Sequence, residues 1–117
     1  MTNLVEYETN NMEASVMDEF TNIQKLIFDN KTRKGFNTTN VELEFCFTNG
    51  ELAEAFEAYR KKLPSVGEEL ADVVIYLYGI AEILGYDLNE EILKKVNKNR
   101  NRIYKDIDGV NTRISED

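Results

Sequence analysis

At 117 residues, 42% of them hydrophobic, the chain is long enough for one core but not two, and a single domain over residues 1–117 is expected, its core spanning roughly residues 15–105. The formal net charge of −8 argues against nucleic acid and against an anionic membrane surface as partners, because phosphates are met by basic surfaces. One proline and six glycines permit long helices and disfavour a turn-rich β architecture.

A single cysteine, Cys46, makes no internal disulfide and suits a reducing cytoplasm. Within Glu44-Phe45-Cys46-Phe47 it reads as a packed or helix-surface thiol rather than a reactive one. No leader-like segment is visible and no apolar run reaches about 18 residues, so a soluble, unprocessed, cytoplasmic protein is expected. The absence of histidine removes His-based triads, the zinc sets that use His, and Glu-x-x-His di-iron sites. Chemistry then falls to carboxylates, Lys, Tyr, Ser/Thr or a metal held through oxygen.

In chain order, Met1 to Asn10 are polar and aperiodic and read as a loose arm. Asn10 with Glu13 has capping form, and Val16, Phe20, Ile23 and Ile27 follow at helical spacing, predicting a helix to about Asn30. Lys31 to Thr38 breaks the pattern with a dense basic cluster around Gly35. Two readings stay open there: a solvated connection, or a loop offering its Lys and Arg side chains, Lys34 among them, to an anionic ligand, with Phe36 as an apolar wall. Thr39-Asn40-Val41-Glu42 has capping-box form and opens a second helix running to about Lys61. Its apolar arc is Val41, Phe45, Leu52, Ala55, Phe56 and Tyr59, and Glu44 and Glu51 flank that arc two turns apart, with Thr48 between them. Ser65-Val66-Gly67-Glu68 repeats the capping box at a third helix, which ends near Leu84 with Gly85 as its cap. Asp87-Leu88-Asn89-Glu90 opens a fourth, expected to run to about Lys105 with Leu88, Ile92, Val96 and Ile103 on its apolar side. Lys95, Asn99 and Arg102 share a different stripe, and the tail beyond Asp106 is expected to be poorly ordered. The fold class is all-α, a four-helix bundle.

The third helix carries the question of function. Glu69, Asp72 and Tyr76 share one stripe, yet Val73 to Ile80 is apolar or aromatic on nearly every side apart from Gly79, the pattern of a helix buried all round. Carboxylates at the head of such a helix are costly unless a metal ion, a basic side chain or the helix N-terminus meets them. The capping box assigns Glu68 to the helix end. Antiparallel packing across a link of about five residues brings Glu51 toward Glu69 and Asp72. Three or four carboxylates without histidine suit Mg²⁺, with Mn²⁺ as a possible substitute, and Lys95, Asn99 and Arg102 would complement substrate phosphates. The competing reading is that Glu51, Glu54 and Glu69 are surface charges of amphipathic helices.

Gly50-Glu51-Leu52-Ala53-Glu54-Ala55-Phe56, followed by Glu68-Glu69-Leu70-Ala71-Asp72 and its apolar helix, resembles the all-α nucleoside triphosphate pyrophosphohydrolases of the MazG-like group. Lys34-Gly35-Phe36, Gly85-Tyr86-Asp87-Leu88 and the later Lys95, Asn99 and Arg102 also fit that group. The resemblance implies Glu-x-x-Glu on one helix and Glu-x-x-Asp on the next, together binding Mg²⁺. It also implies hydrolysis of a nucleoside triphosphate to the monophosphate and pyrophosphate. Glu69 and Asp72 match the second pair. In the first, Glu51 matches the second Glu, while Thr48 stands where the group has its first. Two substitutes stay open as fourth ligand or water-orienting base: Glu44, one turn before Thr48 on the same stripe, and Glu54, which points about 60° away from Glu51. Lys95, Asn99 and Arg102 are expected at the phosphates, Lys34 near the substrate, and Phe36 and Phe47 beside the base. The resemblance further implies a homodimer or homotetramer. The alternative, from a different class, is a non-catalytic helical module that binds a nucleotide or a protein partner.

Overall fold

The computed structural model describes residues 22–114. They are mostly helical: α1 (Ile23–Arg33), α2 (Val41–Arg60), α3 (Val66–Leu84) and α4 (Leu88–Asn101), then the short strands β1 (Tyr104–Ile107) and β2 (Val110–Arg113). The all-α reading holds, with the two strands a minor addition. The expected arm, the Asn10–Glu13 cap and the positions of Val16 and Phe20 lie outside the described residues. The chain divides into two compact units, one ending at Tyr86 and the other beginning at Asp87. Among the described residues, no helix is long and apolar enough to cross a membrane.

In the first unit the helix boundaries follow local chemistry, with two corrections. Asn40 rather than Thr39 caps α2, its side chain accepting the Leu43 N–H at 3.0 Å. The register is shifted because Asn37 folds over the preceding turn, accepting the Asn40 N–H at 3.1 Å and donating to the Asn40 carbonyl at 2.8 Å. Ser65 stands before α3 but makes no side-chain cap, since its backbone (φ −84°, ψ 3°) lacks the extended conformation that aims a capping oxygen at the helix. Glu68 is therefore not held by a capping box. The helix ends agree with expectation. Gly85 takes the left-handed conformation (φ 82°), and the Tyr86 N–H reaches back to the Ala81 carbonyl at 2.9 Å. Gly35 closes α1 in the same way, and Lys62 (φ 56°) does so for α2.

These turns let α3 run antiparallel to both α1 and α2. Gln24, near the start of α1, donates to the Glu82 carboxylate at 2.8 Å and to the Tyr86 carbonyl at 2.6 Å, at the end of α3. On the other side, the Phe47 ring of α2 meets the Tyr76 ring of α3 with centroids 6.1 Å apart. Among the described residues the buried apolar side chains are Ala55, Ala58, Tyr78, Ile80 and Ala81. Buried among the helices with them are Gln24, Lys31, Glu44 and Thr48.

That core corrects the expected arc of α2. Ala55 is buried, but Phe45, Leu52, Phe56 and Tyr59 are exposed, and the packed face is the flank that carries Glu44, Thr48 and Ala58. Nor is α3 buried all round. Only Tyr78 to Ala81 are, while Leu70, Val74, Ile75 and Leu77 remain exposed. Among the described residues of this unit, two helices pack against α3, too few to surround it.

The second unit begins as expected, with Asp87 accepting the Glu90 N–H at 3.2 Å to cap α4. The helix stops at Asn101, not near Lys105, and the tail is not a polar coil. β1 and β2 pair antiparallel, Tyr104 opposite Arg113 and Ile107 opposite Val110. Asp108 (φ 54°) and Gly109 (φ 80°) form the turn, and Asp-Gly is the dipeptide that two-residue hairpins prefer because both central residues need positive φ. The hairpin removes Ile103 from the helix it was expected to extend, and the Ile103 carbonyl instead accepts the Ile114 N–H at 2.8 Å.

Candidate metal centre

Where α2 and α3 run antiparallel, Glu51, Glu69 and Asp72 each offer one carboxylate oxygen, and all three oxygens lie within 4.8 Å of one another. Each residue is partly exposed. Glu51 sits two turns beyond Glu44 along the packed flank, and Glu69 and Asp72 share a face one turn apart. Helical period and the antiparallel crossing together are sufficient to build the cluster.

Its electrostatics are those of like charges held together. The Glu51 carboxyl is pushed above the usual glutamate range, first by desolvation, then by the charges of Glu54 and Asp72, a side-chain hydrogen bond with Glu54, and the charge of Glu69. Desolvation also raises Glu69, followed by the charges of Glu54, Asp72 and Glu68. Burial raises the Tyr76 phenol as well, with Glu51, Asp72 and Glu54 adding to the effect. Such a cluster is relieved by a cation. The donor set is oxygen alone, in a chain without histidine, which fits Mg²⁺ or Mn²⁺ rather than zinc or copper.

The two substitutes for the missing Glu at Thr48 part company. The charge of Glu54 is the largest felt at both Glu51 and Glu69, and a side-chain hydrogen bond links Glu54 to Glu51. Glu44 goes elsewhere. Its side chain is 1% exposed and is ion-paired with Lys31 of α1. Thr48 is buried between them, its hydroxyl donating to the Glu44 carbonyl at 2.7 Å.

Beside the carboxylates lies a cavity of about 300 Å³ enclosed by α1, α2, α3 and the turn after α1. Glu51 and Asp72 line it, with Phe36, Ile27, Ile75 and Tyr76 as apolar or aromatic walls and Asn30 and Lys31 contributed by α1. Phe36 is thus where an apolar wall was expected. Lys34 is exposed at the end of α1 and is not among the described lining residues, nor is Phe47, whose ring packs on Tyr76. Lys95, Asn99 and Arg102 belong to the second unit. There Lys95 is exposed on α4, while Arg102, just past the helix end, donates from Nη1 to Asn99 Oδ1 at 2.9 Å.

Lys31 is the site residue that sequence reasoning missed, and a signal for it existed. Gln24, Ile27 and Lys31 fall at i, i+3 and i+7, so the lysine lies on the packed face of its helix. Glu44 lies on the packed face of the next. Opposite charges on two inward faces mark an ion pair.

Residues 37–116 match the MazG-like family. The match starts after Lys34 and Phe36 and continues through the hairpin, beyond residue 105, near which the core was expected to end. No curated protein and no solved structure matches the chain. With well over half of its length matched and an all-α structure carrying the paired carboxylates, the chain belongs to the MazG-like family.

Proposed function

We propose that the protein is a Mg²⁺-dependent nucleoside triphosphate pyrophosphohydrolase, cleaving its substrate to the monophosphate and pyrophosphate. The observation that carries the reading is the convergence of Glu51, Glu69 and Asp72 from two helices, with Glu51 and Asp72 lining a cavity of about 300 Å³. Those three side chains would hold the ion. When bound, it would polarise phosphate oxygens and offset charge on the departing pyrophosphate. Glu54, within the same field of charge and exposed to solvent, would orient the attacking water and accept its proton. Phe36 and Tyr76 offer apolar surface to the base, and Lys95, Asn99 and Arg102 remain candidates for the phosphates. A second copy of the chain is the expected partner, because among the described residues Phe45, Leu52 and Phe56 on α2 and Leu70, Val74 and Leu77 on α3 are exposed and offer it apolar surface. Sedimentation at micromolar concentration should show a dimer or tetramer, and a monomer alone would remove that part of the proposal.

The test of the activity is pyrophosphate release from a panel of ribo- and deoxynucleoside triphosphates with Mg²⁺. Release is expected from the wild-type protein and lost by at least about 100-fold in Asp72→Asn. The alternative, a binding module without turnover, is favoured by the buried Thr48 and predicts a Mg²⁺-dependent rise in melting temperature with no pyrophosphate from any triphosphate.

A further inference from the structure

Of the basic side chains between Lys31 and Thr38, Lys31 alone is among the described lining residues of the cavity beside the carboxylates. Lys31 lies within α1, not in the loop after it, and its side chain is 9% exposed. Its ammonium meets the carboxylate of Glu44 and stands 5.2 Å from the centroid of the Tyr76 ring. The stem crosses α3 at Gly79, where a β-carbon would lie 3.5 Å from both Cδ and Nζ, so a side chain longer than alanine's would occupy the lysine's path. Lys31 also lines the cavity bordered by Glu51 and Asp72, and among the described lining residues it is the one cation.

A buried ion pair is a poor source of stability, because an apolar pair of similar volume usually serves as well or better. This one sits where a charge has a use. An ammonium carries three donors. Glu44 engages one side of it and the face of Tyr76 another, and the cavity borders the remainder. A polyphosphate bound to one divalent ion still carries negative charge, which lysine meets as a point charge.

We propose that Lys31 is a substrate-binding residue that contacts a phosphate oxygen of the nucleoside polyphosphate in this cavity, and that Glu44 is the positioning residue that holds it there. The inference rests on the cavity being a nucleotide site and adds the contact that anchors the polyphosphate from α1.

The probe is a set of α,β-methylene nucleoside triphosphates, which bind without being cleaved, titrated calorimetrically with Mg²⁺ into the full chain. The informative variant is the double substitution Lys31→Met with Glu44→Gln, which removes both charges at similar volume and orphans neither. It is expected to fold, to keep the rise in melting temperature caused by Mg²⁺ alone, and to bind the analogue at least about tenfold more weakly. Lys31→Arg, which keeps the charge, should recover part of that loss. Where turnover is measurable, KM should rise more than kcat falls. Analogue affinity within twofold of wild type overturns the proposal, as does loss of the Mg²⁺ response together with the affinity, which marks a purely structural pair. Failure of the wild-type protein to bind any of the analogues also overturns it. Affinity decides the matter whether or not a triphosphate is hydrolysed, so the hydrolase reading and this one can fail separately.

Discussion

Glu44 and Glu51 stand two turns apart on the same flank of α2, and their surroundings are opposite. Glu44 is sealed between helices against the ammonium of Lys31. Glu51 is partly open and meets Glu54, Glu69 and Asp72, so that desolvation and like charges both disfavour its ionised form. One carboxylate has its counter-charge built into the chain; the other has carboxylate neighbours instead. The difference arises from what faces each: α1 at one level of the helix, the head of α3 at the other. A single stripe of a single helix thus serves two chemistries.

The largest effect should come from breaking the paired side of this comparison. Lys31→Met alone leaves Glu44 buried and uncompensated, and should cost about 3–5 kcal/mol in urea unfolding. Adding Glu44→Gln should recover most of it. If the single variant is as stable as the wild type, Glu44 is not a buried charge that depends on Lys31.

Next in size is Glu54→Gln. Glu54 is exposed, so little stability should be lost, while pyrophosphate release should fall by about 100-fold, reading turnover and unfolding on the same sample. Unchanged turnover would return the search for a base to other groups.

The smallest effect separates the two carboxylates by pH. The Glu51 carboxyl titrates higher in the folded chain than in the unfolded one, so its contribution is fully present below the unfolded pKa and is lost as pH rises through the folded pKa. Glu51→Gln removes that loss. Without divalent metal, the melting temperature of the variant should therefore gain on the wild type by a few degrees between the acid end of the carboxylate range and neutrality. Added Mg²⁺ should reverse the order, since only the wild type keeps all three ligands. A difference that does not change with pH would mean that the carboxylates do not feel one another.

Much of this was legible in advance. The helical periods of α2 and α3, the Asp87 cap, the Gly85 end, and Glu51, Glu69 and Asp72 as a convergent set all follow from residues close in the chain and from one antiparallel crossing. The Asp108–Gly109 hairpin was equally legible, but reading the tail as polar concealed it. The partner of Glu44 was harder to see. Glu44 and Glu54 both stayed open as substitutes beside Thr48, with helix geometry favouring Glu44, and Lys31 was counted with the loop that follows it.

The chain's own order determines where helices start and stop, because caps, turn conformations and side-chain period act over three or four residues. Only the packing of α1, α2 and α3 decided which flank of α2 is buried, that Lys31 reaches Glu44, and that the charge of Glu54 is felt at Glu69. Burial and charge pairing depend on neighbours remote in sequence, and these are set by how the helix faces meet.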